Sequence, residues 1–257
     1  MKACWRKRWL ILVHLLGFGL FGLSSIISGW TLFPVLALWP GSANDRRDRV
    51  QRVIHIFFRC FIDLLEWSGG MKPHKATGFG SRTGPQVVVA NHPTLLDIVF
   101  LLAHMPQGDC VVKKELGNNP LIAPILWAAG YIRNADGQEA LQEAVTRLQA
   151  GRRVIWFPEG TRSPENGLGP FHRGFAHAAL RAGCPVVPVV IQCRPRALGR
   201  RHQPIYDIPS EPFRLTLRMG DPIWTPREQN PSRSPAVTAR AISLEAEDYF
   251  RSELTHA

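Results

Sequence analysis

Cysteine is scarce in this chain, and it is not paired along the sequence. No C-x-x-C pair occurs. An odd, scattered set predicts neither a disulfide framework nor a zinc site and fits a reducing compartment. All five are expected to be small buried apolar residues. They are Cys4, Cys60, Cys110, Cys184 and Cys193. Long polar low-complexity tracts and internal repeats of about 20–50 residues are also missing, which excludes global disorder and repeat architectures.

Acidic residues are the minority among the charged side chains. The chain has 31 Lys and Arg against 20 Asp and Glu, a formal charge of +11. A basic surface attracts nucleic acid, anionic lipid or an acidic carrier protein, and charge alone does not choose among them. The length of 257 residues, 45% of them hydrophobic, is enough for one α/β domain with a short appendage.

Charged side chains are absent from Trp9 to Trp39, where His14 is the one ionisable residue. The stretch exceeds a signal-peptide apolar region of about 15 residues and lacks a convincing A-x-A cleavage site, so we expect it to be retained. As one straight helix it would be about 46 Å long, against roughly 30 Å of hydrocarbon.

Polar and basic residues suggest how this apolar stretch meets a membrane. A break is expected in the segment of Ser24, Ser25, Ser28 and Gly29, and basic residues flank both ends. The positive-inside rule then places both ends on the cytoplasmic side, at the inner membrane of a bacterium. We predict a re-entrant or interfacial helical hairpin, with a tilted single span as the alternative. Residues 1–42 form this anchor and 43–257 the folded domain.

Helical and strand patterns alternate after residue 43. This order predicts a mixed sheet flanked by helices on both faces, an α/β fold. Helices are expected at Val50–Leu65, Thr94–His104, Pro120–Ala129, Gln138–Gln149, Phe175–Arg181 and Ala236–Ser252. Strands are expected at Gln86–Ala90, Cys110–Lys113, Arg153–Phe157, Val186–Ile191 and Phe213–Met219. Pro188 places its strand at an edge or a bulge.

Open α/β sheets bind ligands beyond the carboxyl ends of their strands. After the first strand comes Asn91-His92-Pro93-Thr94-Leu95-Leu96-Asp97. Pro93 suits the first position of a helix. Asp97, one turn further on, is placed to reach back to the imidazole of His92, and an imidazole held by a carboxylate is a good general base. On spacing alone, a helix cap and a surface acid are the favoured explanation of the pair.

A second polar loop follows the strand that begins at Arg153. It reads Phe157-Pro158-Glu159-Gly160-Thr161-Arg162-Ser163. The guanidinium of Arg162 is suited to bind a phosphate through two hydrogen bonds. Gly160 lets the backbone approach a ligand closely. Glu159 could bind a hydroxyl or orient Arg162. The alternative is a polar turn with an internal ion pair. Arg133, at the end of Gly130-Tyr131-Ile132-Arg133, is a third candidate, although such a residue is usually a solvated charge.

Four motifs in this order resemble those of the lysophospholipid acyltransferase family, the relatives of 1-acylglycerol-3-phosphate acyltransferase. They are Asn-His-x4-Asp, Gly-x-Ile-x-Arg, Phe-Pro-Glu-Gly-Thr-Arg-Ser and Val-x-Pro-Val, and the similarity covers roughly Val87 to Ile191. The resemblance implies a glycerolipid-acyltransferase fold and makes His92 the general base and Asp97 its orienting carboxylate. The expected substrate-binding residues are Arg133, Phe157, Pro158, Glu159, Gly160, Thr161 and Arg162.

The resemblance also implies the partners. Family members take their acyl group from acyl-CoA or acyl-carrier protein, use a lysophospholipid acceptor at the bilayer, and need no metal or cofactor. No Gly-x-Ser-x-Gly elbow is present and no cysteine lies in the motifs, so direct transfer is expected, without an acyl-enzyme. The sequence departs from the family at Pro93 and at Asn134-Ala135-Asp136-Gly137, which leaves a lyso-aminolipid or glycolipid acceptor open.

Two other classes of protein are weighed against an acyltransferase. One is a membrane-anchored lipid-binding protein without turnover, against which the intact His92 and Asp97 argue. The other is a nucleic-acid binder, which only the charge suggests. The chain has no recognised nucleic-acid motif, and its apolar start argues against that class. We therefore expect no nucleic-acid partner.

Overall fold

A computed structural model describes residues 2–80, 84–120, 122–134, 136–199, 203–226 and 232–255. The helices are α1 (Lys2–Trp30), α2 (Leu32–Leu38), α3 (Ala43–Trp67), α4 (Asp97–His104), α5 (Ala123–Ala129), α6 (Gly137–Gln149), α7 (Gly174–Ala182) and α8 (Pro235–Thr255), with a 3₁₀ turn at Lys114–Asn118. The strands are β1 (Lys75–Thr77), β2 (Gln86–Ala90), β3 (Gly108–Lys113), β4 (Ile132–Asn134), β5 (Arg153–Trp156), β6 (Val186–Arg194) and β7 (Arg214–Met219).

The described strands form one seven-stranded sheet in the order β1-β7-β6-β2-β5-β3-β4. Every neighbouring pair is parallel except β6 and β7, which are antiparallel. The predicted mixed sheet is therefore confirmed. Strand β2 lies beside β5, with Val89 opposite Trp156, so the loops that follow these two strands leave the same edge of the sheet.

Helices cover both faces of the sheet, as expected. Because side chains alternate along a strand, Val88 and Ala90 of β2 face one core while Val87 and Val89 face the other. The first core packs against α3 and α4, and the second against α6, α7 and α8. Five-residue β2 is buried along its whole length, which explains its continuous apolar sequence.

Several predicted boundaries are wrong. Helix α4 begins at Asp97 and not at Thr94, because the side chain of Thr94 bonds Asp97 and closes a separate turn ahead of the helix. Helix α5 begins at Ala123 and not at Pro120. Strands β1 and β4 were not predicted, because three residues are too short to show a period.

Pro188 does not mark an edge strand, because β6 is an interior strand between β7 and β2. Its missing N–H instead falls where the pairing with β7 is interrupted. The antiparallel register ends at Val189↔Met219 and resumes at Val186↔Trp224. Two residues of β6, 187 and 188, thus lie opposite four residues, 220–223, of the segment after β7, and the two extra residues make the irregularity.

The apolar N-terminal stretch is helical but does not form the predicted hairpin. Helix α1 continues through Ser24–Gly29 because the hydroxyls of Ser24 and Ser28 bond carbonyls of the preceding turn. The helix ends at Trp30, just before Thr31. Helices α1 and α2 then follow each other along α3 in one direction. The hairpin partner is therefore α3, outside the predicted 1–42 anchor.

Contacts along α3 establish this antiparallel arrangement. The side chain of Trp9 bonds the Ser68 carbonyl, Phe18 and Phe21 contact Phe61 and Phe58, and Phe33 contacts Phe57. Leu10 is buried in the core shared with the sheet. Residues 1–42 therefore contribute packing to the rest of the protein as well as an apolar surface.

A buried polar cluster ties α3 to the amino-terminal end of the sheet. Fully buried Asp109 accepts from Arg152 Nε at 2.6 Å and from Gln51 Nε2 at 2.7 Å. Arg152 also donates to Asp48 at 2.7 Å. Because a buried charge is costly without partners, this cluster fixes α3 relative to β3 and β5, at the edge opposite the predicted site.

Candidate active site

The two predicted loops meet at the carboxyl ends of β2 and β5. They line a cavity of about 1100 Å³ together with residues from β3 and from the segment after β6. His92, Phe157, Pro158, Gly160, Thr161 and Arg162 are among its lining residues. The strand-end rule thus predicts, from the sequence, the edge of the sheet at which these loops and the cavity lie.

His92 and Asp97 form a hydrogen-bonded pair at this cavity. Nδ1 of His92 lies 2.7 Å from Oδ2 of Asp97. Because an ionised carboxylate only accepts, Nδ1 carries the proton and Nε2 is left with a free lone pair. The Asp97 side chain is fully buried, whereas His92 is partly exposed. An imidazole held by a carboxylate in this way is suited to remove a proton when the ring is neutral.

Asp97 is held rigidly by the turn that precedes α4. The backbone N–H of Thr94 donates to Oδ2 at 2.7 Å, and its hydroxyl donates to Oδ1 at 2.6 Å. Both carboxylate oxygens are therefore occupied, which fixes the plane that receives the imidazole. The ring of His92 also stacks on Phe157, with centroids 4.5 Å apart. The predicted substrate-binding residue Phe157 thus contacts the base itself.

Glu159 bonds to the protein itself, and the hydroxyl that it binds belongs to Ser163. It is buried, and its oxygens accept from the backbone N–H of His92 at 3.1 Å, from the hydroxyl of Ser163 at 2.6 Å and from the N–H of Gly169 at 2.7 Å. None of these partners is Arg162. Glu159 therefore holds the two loops together, and its contacts are with the protein.

Ser163 and Asn91 are site residues that the sequence did not single out. Ser163 bonds His92 twice: its N–H donates to the His92 carbonyl at 2.8 Å, and its hydroxyl lies 3.1 Å from the His92 N–H. Asn91 joins β2 to β6 through two 2.8 Å bonds with the backbone of Ile191. Both residues belong to the quoted motifs, but their hydrogen-bond partners follow only from the order of the strands in the sheet.

The two candidate arginines differ in position. Arg162 lines the cavity and donates from Nη1 to the Leu198 carbonyl at 3.2 Å. Burial lowers the pKa of Arg162 from its ordinary value, and the charge of Asp97 opposes that shift. Arg133 is exposed on the edge strand β4 and is not among the cavity-lining residues. The structure thus groups Arg162, but not Arg133, with His92.

The inner walls of the cavity are largely apolar. Leu95, Ile98, Cys110, Val111, Val112, Leu116 and Trp156 contribute to them. Burial raises the pKa of the Cys110 thiol to about 12, so it is protonated and is no nucleophile. Cys184 is also buried, but Cys60 is exposed on α3, so the expectation that all cysteines are buried is wrong there. Cys4 lies where no side chain is described.

Within the described residues, no group of three or more histidine, cysteine, aspartate or glutamate side chains is arranged to hold a metal ion. Gly160 adopts a positive φ of 63°, which favours glycine at the centre of the loop. A carboxylate-held imidazole at the mouth of an apolar cavity defines the class: a site for general-base chemistry on an apolar substrate.

Comparison with known proteins agrees with this class. Residues 74–192 match the family model described as Acyltransferase. This stretch contains His92, Asp97 and the Phe157–Ser163 loop, so the similarity to the family includes the candidate site.

Two relatives and one solved structure are among the proteins that this chain resembles. The chain is 31% identical over 170 residues to 1-acyl-sn-glycerol-3-phosphate acyltransferase of Limnanthes douglasii, covering 63% of this chain and 58% of the relative. It is 38% identical over 174 residues to the alpha form from Homo sapiens, covering 64% and 60%. The chain thus spans about three fifths of these relatives.

The solved structure is the 1-acyl-sn-glycerophosphate (LPA) acyltransferase PlsC from Thermotoga maritima. It superposes with a TM-score of 0.70 at 22% identity, covering 95% of this chain and 97% of that chain. The two proteins share one fold, including the helices that precede the sheet.

Proposed function

We propose that this protein transfers a fatty acyl group from acyl-CoA or acyl-carrier protein to a hydroxyl of a lysophospholipid, with 1-acyl-sn-glycerol-3-phosphate as the principal acceptor, in phospholipid biosynthesis. One observation carries the proposal: the His92–Asp97 pair opens onto a cavity that has apolar walls and the cationic Arg162. The names of the relatives reported above support 1-acyl-sn-glycerol-3-phosphate as the acceptor.

The proposed chemistry is a direct transfer. Nε2 of His92 removes the proton from the acceptor hydroxyl as its oxygen bonds to the thioester carbonyl carbon. The C–S bond then breaks, and the leaving thiolate takes the proton from the imidazolium. Asp97 stabilises that imidazolium through Nδ1–H. The Ser163 hydroxyl donates to Glu159, and the Cys110 thiol is protonated, so neither is placed to form an acyl-enzyme.

A panel assay tests the proposal. Detergent-purified protein would be incubated with an acyl-CoA or an acyl-carrier protein and several lysolipids, with products read by mass spectrometry. We expect His92→Ala to lower transfer by about 10²–10⁴-fold while circular dichroism stays unchanged, because the general base is lost. A folded His92→Ala protein with near-normal turnover would refute the mechanism. A wild-type protein that binds lysolipids without turnover would support a lipid-binding protein instead.

A second acceptor class rests on the position of Arg133. Since this arginine lies outside the cavity lining, phosphate recognition depends on fewer cations than the resemblance implied. A lyso-aminolipid or a glycolipid precursor therefore belongs in the panel. Faster transfer to either than to 1-acyl-sn-glycerol-3-phosphate would replace the principal acceptor.

The proposed location is the cytoplasmic face of a bacterial inner membrane. Among the described residues, one helical stretch, Trp5–Leu38, is long and apolar enough to cross a membrane, with a mean hydropathy of 2.2. Its outward face is a row of large apolar side chains, and tryptophans stand near both ends. The row consists of Trp5, Trp9, Leu12, Leu16, Leu20, Leu23, Ile27, Trp30, Val35, Leu38 and Trp39. Tryptophan is enriched where protein meets the lipid headgroups.

Packing on α3 favours an interfacial position over a crossing. Helix α1 lies against α3 from Trp9 to Phe21, and α3 carries charged residues such as Arg59 and Asp63 along this length. A crossing would draw these charges into hydrocarbon at about 2.5–3.5 kcal/mol each. We propose that α1 and α2 lie in the membrane surface, with their outward row in the lipid and the cavity reached from the bilayer.

A further inference from the structure

The segment that follows β6 packs over both loops of the active site. Ala197, Leu198 and Gly199 are buried, and the segment lies beyond residue 192, where the match to the acyltransferase family ends. None of its residues was singled out from the sequence. Arg196 and Gly199 nevertheless line the cavity together with His92.

Arg196 binds the second loop through two backbone carbonyls. Its Nη2 donates to the Ser163 carbonyl at 2.5 Å, and its Nη1 donates to the Pro164 carbonyl at 2.7 Å. Because the guanidinium is planar and donates two parallel hydrogen bonds, it fixes the orientation of the second loop as well as its distance from Arg196. Ser163 in turn bonds the His92 backbone at both N–H and carbonyl. A continuous chain of contacts therefore runs from Arg196 to the base.

Leu198 connects the same segment to the first loop. Its carbonyl accepts from the backbone N–H of Leu95 at 3.0 Å and from Arg162 Nη1 at 3.2 Å. Leu198 has a φ of 54°, a left-handed conformation that is unfavourable for a residue with a side chain. Through this one carbonyl, Leu198 is therefore hydrogen-bonded to both loops.

Gly199 is fitted to this arrangement. A Cβ at residue 199 would lie 2.5 Å from Nε of Arg196 and 2.9 Å from the Pro93 carbonyl. The Nε atom is itself buried and makes no hydrogen bond to the part of the chain that the structure describes. Any side chain here would therefore displace Arg196 or the backbone just after His92.

We propose that Arg196 is a positioning residue of the active site, which holds the His92 backbone through Ser163. The inference rests on the proposed transfer at His92. Arg196 acts on the loop and touches neither reacting group, so its loss misplaces the base while the walls of the acyl cavity remain. A misplacement of about 1 Å can cost about 100-fold in rate.

The kinetic test compares Arg196→Gln, Arg196→Lys and the control Arg240→Gln, an exposed arginine on α8. We expect Arg196→Gln to lower kcat by about 10–100-fold with the KM for the acyl donor changed by less than about twofold. Lysine, which can reach one carbonyl, should recover part of the loss. Arg240→Gln should match the wild type. An unchanged kcat in Arg196→Gln, or a loss confined to KM, would overturn the proposal.

A double-mutant cycle tests the route through Ser163. If Arg196 acts through that residue, the losses of Arg196→Gln and Ser163→Ala should be strongly non-additive. Simple additivity would contradict the route. Gly199→Ala displaces Arg196 without deleting it and should reproduce the kcat loss.

Hydrogen exchange measures the same linkage without any substrate. In Arg196→Gln, or in Arg196→Lys if the glutamine variant does not fold, peptides containing the His92 and Ser163 amides should exchange faster than in the wild type. Unchanged exchange would overturn the proposal whether or not transfer is observed. Faster exchange in a protein that transfers no acyl group would support the linkage and reject the proposed function alone.

Discussion

Glu159 reaches across from the β5 loop and accepts, at 3.1 Å, the backbone N–H of His92. The same oxygen, Oε1, accepts the Ser163 hydroxyl at 2.6 Å, and Oε2 accepts the N–H of Gly169 at 2.7 Å. A carboxylate is suited to this place because every partner is a donor. The acid of the third motif therefore fixes the backbone of His92.

We predict that Glu159→Gln destabilises the protein and slows transfer. The amide group turns one acceptor oxygen into an N–H₂ donor that faces buried donors, which costs about 1–3 kcal/mol. Urea unfolding in detergent micelles would measure the loss, and steady-state assays should show a lower kcat. Glu139→Gln, at an exposed position on α6, is the control. Wild-type stability and turnover in Glu159→Gln would show that the carboxylate is dispensable.

Arg162 and Arg133 should differ as ligands for an acceptor phosphate. We predict that Arg162→Ala raises the KM for 1-acyl-sn-glycerol-3-phosphate by about tenfold or more, as expected for the loss of a charge-assisted hydrogen bond of about 1.5–3 kcal/mol. Arg133→Ala should change it by less than about threefold, because Arg133 is exposed outside the cavity. The KM for the acyl donor serves as the internal control and should stay unchanged in both variants. A larger rise in the KM for the acceptor in Arg133→Ala than in Arg162→Ala would support Arg133 as the phosphate ligand, as the motif resemblance implies.

The sequence predicted the parts of the site that are local in the chain. His92 and Asp97 are five residues apart, and both loops directly follow buried strands, so the strand-end rule together with the motif resemblance points to them. Ser163 and Arg196 could not be placed in this way. Their partners are 71 and 33 residues distant, and the contacts depend on β2 lying beside β5, which is not its neighbour in the chain.

Polar residues in an apolar helix misled the prediction for the N-terminus. Ser24 and Ser28 suggested a break, but each hydroxyl bonds a carbonyl three or four residues back. A serine hydroxyl can donate its hydrogen bond to a backbone carbonyl of the same helix, so a serine need not end the helix. Composition located the apolar stretch correctly but could not show that α3 would be its packing partner.

The stability of the protein should depend on pH through His104. Burial is the main cause that lowers the pKa of His104 from 6.5, and the charges of His74, Arg59 and His55 act in the same direction. Below pH 6.5, His104 therefore binds a proton in the unfolded chain, whereas in the folded protein it binds that proton only at a lower pH. The stabilisation is complete above pH 6.5 and is lost as the pH falls towards the lower folded-state pKa.

We predict that wild-type protein loses more stability than His104→Asn between about pH 7.5 and about pH 5.5, by up to about 1.4 kcal/mol per pH unit for one group. Some dependence should remain in the variant, since burial also lowers the pKa of His177. Urea midpoints in micelles across this range are the measurement. Parallel curves for the two proteins would exclude His104 as the source.

The outward face of α1 gives a test of membrane attachment that leaves its packed face intact. Leu16 and Leu20 are 57% and 58% exposed, whereas deletion of residues 1–42 would also uncover the core that includes Phe61 and Leu65. We predict that Leu16→Glu with Leu20→Glu moves the folded protein from the membrane to the soluble fraction. Each buried leucine is worth about 1.5–3 kcal/mol of apolar transfer, so two should lower membrane partitioning by well over tenfold.

The matched control is Val237→Glu with Leu244→Glu, two apolar residues of α8 with exposures of 54% and 50%. That pair adds the same charge at similar exposure, away from α1, and should leave the protein on the membrane. Fractionation at low and high salt separates the apolar attachment from attraction of the basic surface to anionic lipid, since only the latter is screened. Equal retention of both variants at high salt would mean that another surface holds the protein on the bilayer.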